Sequence, residues 1–143
     1  MLAAGVRTLI ACALASGAAF LFNRASSRGV RPGPLLAFLL GPCVEETAKT
    51  GFALALAAPV VLVHVGFGAV EAVYDASGRR ASWSGQGFAA GATGLVSHAA
   101  LGILTQVVLG LTRQPLLTVA AAAVAHGLWN VAIVALVDAG RRH

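Results

Sequence analysis

The sequence predicts an all-α protein, a polytopic bundle of about five transmembrane helices with the N-terminus outside and the C-terminus inside. Of its 143 residues, 58% are hydrophobic and only 10% are charged, whereas soluble domains carry about 25% charged residues. A helical span needs about 20 apolar residues, so five spans use nearly the whole chain. Residues 1–143 are therefore predicted to form a single integral-membrane domain, multi-pass and in the cell membrane.

The first helix is predicted over residues 2–22, an apolar run interrupted only by Arg7. A basic, turn-rich stretch from Asn23 to Pro34 follows, and we interpret it as a cytoplasmic loop. A cleaved signal peptide is the alternative, because residues 15–18 are small. We rank it second, since the apolar run continues to Phe22.

The division of residues 35–77 has two solutions. Hydropathy alone favours one span over 51–70, whereas a break at Pro59 favours two helices, 35–57 and 59–76, because proline suits the first turn of a helix. Cytoplasmic loops carry an excess of Lys and Arg, and only the two-helix solution produces that excess. It places these residues on the cytoplasmic side: Arg24, Arg28, Arg31, Arg79, Arg80, Arg141 and Arg142.

The last two helices are predicted over 86–111 and 115–138. One face of the first of them carries residues at three- and four-residue spacing, almost all of them glycine, which allows close helix packing in membranes. They are Gly87, Gly91, Gly94, His98 and Gly102. We therefore expect His98 to lie on a packed face.

The second helix carries three ionisable groups in five residues: Glu45, Glu46 and Lys49. Each charge at the centre of a bilayer costs ~2.5–3.5 kcal/mol, so such a cluster indicates a functional site. Nucleic-acid binding is not indicated, because the basic residues occur singly or in pairs without interleaved aromatic residues.

Four pairs at i,i+4 spacing each place two residues on one face of a predicted span. They are Glu45 with Lys49, Phe67 with Glu71, His98 with Gly102, and His126 with Asn130. Their depths are compatible with one intramembrane layer that opens towards the cytoplasm. Carboxylates and imidazoles in such a layer can deprotonate a water as general bases or by ligating a metal.

The metal question stays open at this point: zinc or another divalent ion, with candidate ligands Glu46, His98 and His126, or no metal. For His64, which lies about 10 Å along the helix axis from Glu71, we favour a structural role.

The four motifs resemble the ordered motifs EExxK, FxxxE, HxxxG and HxxxN of the PrsW-type intramembrane proteases. These are relatives of the CAAX prenyl endopeptidases and the bacteriocin-immunity type membrane proteins. The resemblance covers about residues 40–135, and four motifs in order on four spans are more specific than any one of them. It implies hydrolysis of a peptide bond in a membrane-associated protein, for example an anti-sigma factor.

We therefore expect an intramembrane endopeptidase, with its substrate and the lipid bilayer as partners. The expected catalytic residues are Glu45, Glu46, His98 and His126, and the expected accessory residues are Lys49, Glu71 and Asn130. Two other functions are retained: a small proton- or cation-coupled carrier, and a non-catalytic scaffold of the same fold. Assembly as a homo-oligomer is left open.

Overall fold

A computed structural model describes residues 3–26, 36–77 and 85–140. Within them the chain forms a bundle of five α-helices, α1 to α5, and a short π-helical segment precedes α2. The bounds are Ala4–Ser26 (α1), Leu36–Leu40 (the π-helical segment), Gly41–Ala55 (α2), Val60–Ser77 (α3), Gly85–Thr112 (α4) and Pro115–Gly140 (α5). The predicted all-α bundle of five helices is confirmed.

Helix α1 extends one turn beyond its predicted end at residue 22. The segment from Asn23 to Ser26, which we assigned to a loop, is helical. It contains neither glycine nor proline, so no residue in it stops the helix. The polar side chains of this last turn misled the prediction, because a solvated helix end is as polar as a loop.

The break between α2 and α3 lies where Pro59 predicts it. Ala57 adopts a left-handed conformation with φ of 47°, and the N–H groups of Ala57 and Ala58 donate to the carbonyls of Leu54 and Ala53. These two bonds satisfy the last carbonyls of α2 in a Schellman motif. The chain therefore reverses within a few residues, and the two-helix division of residues 35–77 is confirmed.

Pro42 explains the π-helical segment before α2. Proline has no N–H and its ring clashes with the carbonyl four residues earlier, which is that of Phe38. The helix widens at Leu36–Leu40, and the Phe38 carbonyl packs against Gly127 of α5, where a Cβ would lie 2.4 Å from its oxygen. Glycine at position 127 is therefore required for α5 to approach the π-helical segment this closely.

Helices α3 and α4 are in contact through histidines that lie over glycines. A Cβ on Gly68 of α3 would lie 2.9 Å from the Cβ of His98, and a Cβ on Gly102 of α4 would lie 2.8 Å from the Cβ of His64. The expectation that His98 lies on a packed face is confirmed. Gly91 also packs against α3, whereas no atom lies within 4 Å of a Cβ at Gly94; the surroundings of Gly87 lie outside the described residues.

The bundle has a polar interior and an apolar exterior. Glu46, Lys49 and His64 are fully buried, whereas Leu9, Leu111 and Leu116 are between 71% and 87% exposed. Among the described residues, three helices are long and apolar enough to cross a membrane, namely α1, the Ala89–Thr112 part of α4, and α5. The chain is therefore a membrane protein, since large apolar side chains on the outside suit lipid and not water.

Helices α2 and α3 are shorter than these three spans. Of the seven arginines that the prediction places on the cytoplasmic side, only Arg24 belongs to the described residues. The orientation of the bundle therefore stays a prediction.

Candidate active site

Glu46 is the centre of a buried polar network. Its Oε1 atom lies 2.5 Å from Lys49 Nζ and 2.9 Å from His126 Nδ1, and its Oε2 atom lies 3.0 Å from His64 Nε2. Helices α2, α3 and α5 each contribute a donor to this carboxylate. Because a buried carboxylate must be paired and hydrogen-bonded, Glu46 fixes the relative positions of these three helices.

Lys49 lies one turn after Glu46 and is also fully buried. Its ammonium group donates to Glu46 and lies 3.1 Å from His98 Nδ1, 3.9 Å from Glu45 Oε2 and 4.5 Å from the centre of the Phe67 ring. Hydrogen bonds and a cation–π contact thus replace its hydration shell. Lys49 thus lies within ion-pair distance of both neighbouring carboxylates of α2.

His98 connects Lys49 to Glu71. The lysine ammonium can only donate, so Nδ1 of His98 accepts and Nε2 carries the ring proton of the neutral imidazole. That N–H donates to Glu71 Oε2 at 2.5 Å. Glu71 thus belongs to the site. Its side chain is 42% exposed and is the most exposed of the three glutamates Glu45, Glu46 and Glu71.

His126 and Glu45 face each other with unused hydrogen-bonding atoms. His126 Nδ1 donates to Glu46, so Nε2 of the neutral ring presents a lone pair. Glu45 Oε2 lies 4.0 Å from this nitrogen and is a buried oxygen without a hydrogen-bond partner among the described residues. No donor among the described residues lies between these two atoms.

His64 is the residue that the sequence reasoning assigned to structure alone. It is fully buried, and its Nδ1–H donates to the Val60 carbonyl at 3.0 Å. Its Nε2–H donates to Glu46 Oε2 at 3.0 Å, because a carboxylate oxygen only accepts. The side-chain partner of His64 is Glu46 of α2 and not Glu71. The spacing in the sequence could have associated His64 with the site, because His64 and Glu71 are seven residues apart and share a face of α3.

Asn130 lies one turn after His126, but it does not orient the imidazole of that histidine. It is half-buried one turn after His126, yet it makes no hydrogen bond with any residue that the structure describes. Glu46, from α2, orients the His126 ring instead.

Glu45 and Glu71 line a cleft between α1 and α3 with a volume of about 500 Å³. Its lining residues come from α1, α2 and α3: Ser16, Ala19, Phe20, Asn23, Arg24, Glu45, Phe67, Val70, Glu71 and Tyr74. Along α1 the lining runs from Ser16 to Arg24, so the cleft extends towards the Arg24 end of the bundle. Glu45 and Glu71 are therefore accessible from that end.

Whether the site can hold a metal ion depends on how many ligand atoms remain free. Glu45, His98 and His126 each bring one ligand atom within 4.8 Å of the others, so Glu45 replaces Glu46 in the set suggested by the sequence. Both ring nitrogens of His98 are engaged, however, by Lys49 and Glu71. Two open ligands remain, whereas catalytic zinc takes three. The residues as arranged do not fit a resident metal.

Comparisons with known proteins add no relative. No protein-family model, no curated protein and no solved structure matches the chain. The geometry of the site and the motif resemblance therefore remain as indications of function.

Proposed function

We propose that the protein is an intramembrane endopeptidase that hydrolyses a peptide bond with a water held between Glu45 and His126. One observation carries the proposal: Glu45 Oε2 and His126 Nε2 are 4.0 Å apart, and the carboxylate oxygen has no partner among the described residues. A water that donates one hydrogen to each atom would be oriented with its lone pairs away from both. Such a water is a nucleophile that a general base can activate.

Glu45 acts as the general base in this proposal. It takes one proton from the water while the water oxygen bonds to the carbonyl carbon of the substrate, and the carbonyl electron pair moves to oxygen. On collapse the C=O bond re-forms, the C–N bond breaks, and Glu45 returns its proton to the leaving nitrogen. The Asn130 amide, half-buried and unpaired among the described residues, donates to the oxyanion.

The other polar residues hold this pair in place. Glu46 accepts from His126 Nδ1 and thereby directs the Nε2 lone pair towards the water. Lys49, 3.9 Å from Glu45, keeps a positive charge beside the base. His98 and Glu71 orient each other at the cleft. Glu46 is thus a positioning residue, and Glu45 is the acid that contacts the water.

The proposal is tested by measuring the new protein N termini that cleavage creates in membranes. Labelled N termini are compared between cells that carry the wild-type chain and cells that carry Glu45→Gln or His126→Ala, and we expect a set of termini to disappear with both variants. Asp138→Asn, an exposed carboxylate on α5, is the matched control and retains the set. Unchanged termini in Glu45→Gln, at equal protein level, would refute the proposal.

The setting that we propose is a multi-pass protein of the cell membrane with five spans. The continuous segment from Leu36 to Ala55 is roughly 30 Å long at the helical rise, enough for one crossing. By the motif resemblance, the substrate is a membrane-bound protein such as an anti-sigma factor. A homo-oligomer is compatible with the cleft, since α4 and α5 contribute none of its described lining.

A carrier is the second candidate, and one observation favours it. Hydrogen bonds link Glu71, His98, Lys49, Glu46 and His64 into a continuous chain through the bundle. Such chains conduct protons in pumps and transporters. Sealed vesicles that contain the protein separate the two functions: proton movement that Glu46→Gln abolishes, together with unchanged N termini, identifies a carrier.

A further inference from the structure

We propose that the Arg24 end of the cleft between α1 and α3 is a binding site for an anionic glycerophospholipid of the bilayer. Arg24, Asn23 and Tyr74 hold its phosphate, and one of its acyl chains lies along the apolar wall of the cleft. None of these three residues has a part in the proposed chemistry. The inference therefore goes beyond the proposed function and holds for an endopeptidase and for a carrier alike.

Arg24 lies at the depth of the lipid headgroups. Helix α1 has 23 residues and is about 33 Å long at the helical rise, slightly longer than the hydrocarbon core of a bilayer, which is about 30 Å thick. Arg24 belongs to the last turn of this helix and is exposed, so its guanidinium reaches the headgroups when α1 crosses the bilayer. Tyrosine is enriched at the same level in membrane proteins, and Tyr74 of α3 is 64% exposed.

Three side chains at this end of the cleft can donate hydrogen bonds to a phosphate. Arg24, Asn23 and Tyr74 all belong to its lining. The guanidinium has five N–H groups and no acceptor, so Arg24 can bind a phosphate beside any other partner. The Asn23 amide and the Tyr74 hydroxyl make no hydrogen bond within the part of the chain that the structure describes. One charged donor beside two neutral donors is the arrangement that a phosphate requires.

The negative charges of the cleft keep a phosphate at this end. Glu45 and Glu71 line its deeper part, and Glu71 lies three residues before Tyr74 on α3, about 4.5 Å along the helix axis. These carboxylates repel an anion, whereas Arg24 attracts it. In the described lining, Arg24 is the only basic side chain. The cleft therefore offers a phosphate one place, at its Arg24 end.

The wall next to this place suits an acyl chain. Phe20 of α1 packs edge-to-face against Tyr74, with the ring centroids 6.2 Å apart, and Val70 lies one turn before Tyr74 on α3. Phe20 and Val70 are 48% and 49% exposed. Exposed apolar side chains of a membrane-spanning helix face lipid, so hydrocarbon fills the space beside them. Phosphate donors at headgroup level together with an apolar wall identify a phospholipid as the occupant and not a free phosphate.

Lipid binding to the delipidated protein in detergent, measured by native mass spectrometry, tests this site. Phosphatidylglycerol and phosphatidylcholine are titrated separately. We expect the anionic lipid to bind about fivefold more tightly, the factor that one arginine near a headgroup contributes. Arg24→Gln is expected to remove this preference, and Arg24→Lys, which keeps the charge, is expected to retain it. Tyr74→Phe lacks the hydroxyl and is expected to weaken the binding of phosphatidylglycerol about threefold.

Arg113→Gln is the matched control. Arg113 is also an exposed arginine but does not line the cleft, so this variant is expected to keep the preference for phosphatidylglycerol. A preference that Arg24→Gln leaves unchanged would overturn the proposal. An equal loss in Arg113→Gln would also overturn it, because net charge alone would then attract the lipid. Displacement of phosphatidylglycerol by glycerol 3-phosphate would do the same, because the ligand would then be a free phosphate.

Photo-crosslinking in vesicles locates the acyl chain. Phosphatidylglycerol with a diazirine on one acyl chain is irradiated with the protein, and the labelled residues are identified by peptide mass spectrometry. We expect label on residues 16–24 of α1 and 67–74 of α3, and a loss of this label in Arg24→Gln. Label confined to α4 and α5, or label at the cleft that Arg24→Gln does not reduce, would contradict the proposed site.

Discussion

The imidazole of His64 on α3 lies over Gly102 on α4, where a Cβ would lie 2.8 Å from the histidine Cβ. The reverse arrangement, His98 over Gly68, occurs elsewhere in the same helix pair. The glycines thus bring the two helices close enough for histidines on both to reach Lys49 and Glu46 of α2. The close packing of α3 against α4 and the polar network therefore depend on the same histidines and glycines.

Gly102→Ala is expected to destabilise the protein, because its methyl group overlaps the Cβ of His64, which cannot move without displacing α3. We expect a loss of about 1–3 kcal/mol in the free energy of unfolding, as for overpacked cores, measured by thermal unfolding in detergent. The matched control is Gly94→Ala on the same helix, where no atom lies within 4 Å. Equal melting temperatures for the two variants would contradict the packing described here.

Gly127→Ala is expected to be at least as damaging. The added Cβ would lie 2.4 Å from the Phe38 oxygen, a backbone atom, so relief requires movement of α5 or of the π-helical segment. The cost expected for such overpacking is about 3 kcal/mol. Gly110→Ala, at a position with open space, is the control, and it is expected to retain the melting temperature because alanine favours the helix more than glycine does. An equal loss in both variants would show that the contact with Phe38 is not responsible.

The break at Pro59 and the packed face of α4 could be predicted from sequence, because each depends on local geometry or on helical spacing. The division of roles between Glu45 and Glu46 could not. Adjacent residues on a helix differ by about 100° in direction, and only the positions of α3 and α5 decide which carboxylate is enclosed. The partnership of His64 with Glu46 escaped for the same reason, since it depends on the relative depth of two helices.

His64 is expected to hold Glu46 in the orientation that directs His126. His64→Leu removes the donor to Glu46 Oε2 and leaves that oxygen buried without it, at a cost of about 1–3 kcal/mol. His64→Gln, whose amide can still donate, is expected to recover most of the stability and of any cleavage activity. Melting temperatures and membrane N termini are compared for the two variants, and equal losses would assign His64 to packing alone.

The pair of Lys49 and Glu46 is expected to be strongly non-additive. Lys49→Met leaves Glu46 buried without its cation, a change that costs about 3–5 kcal/mol in buried ion pairs. Lys49→Met with Glu46→Gln removes both charges and is expected to unfold at a higher temperature than Lys49→Met alone. A double variant that is less stable than either single variant would show that the two charges do not compensate each other.

Chelators are expected to leave activity intact, because Lys49 occupies the position in which a metal would compete for His98. Its ammonium lies 3.1 Å from His98 Nδ1 and 3.9 Å from Glu45 Oε2, so a divalent ion bound to these atoms would be placed beside a positive charge. Wild-type membranes are treated with EDTA or 1,10-phenanthroline, and the Glu45-dependent N termini are measured before and after dialysis. We expect the set of N termini not to change. In Lys49→Gln, which removes the competing cation, we expect zinc to bind more tightly than to the wild type, as measured by isothermal titration calorimetry. Loss of the termini on chelation, with recovery on addition of zinc, would instead require His98 to leave Lys49 or Glu71 and ligate the metal together with Glu45 and His126.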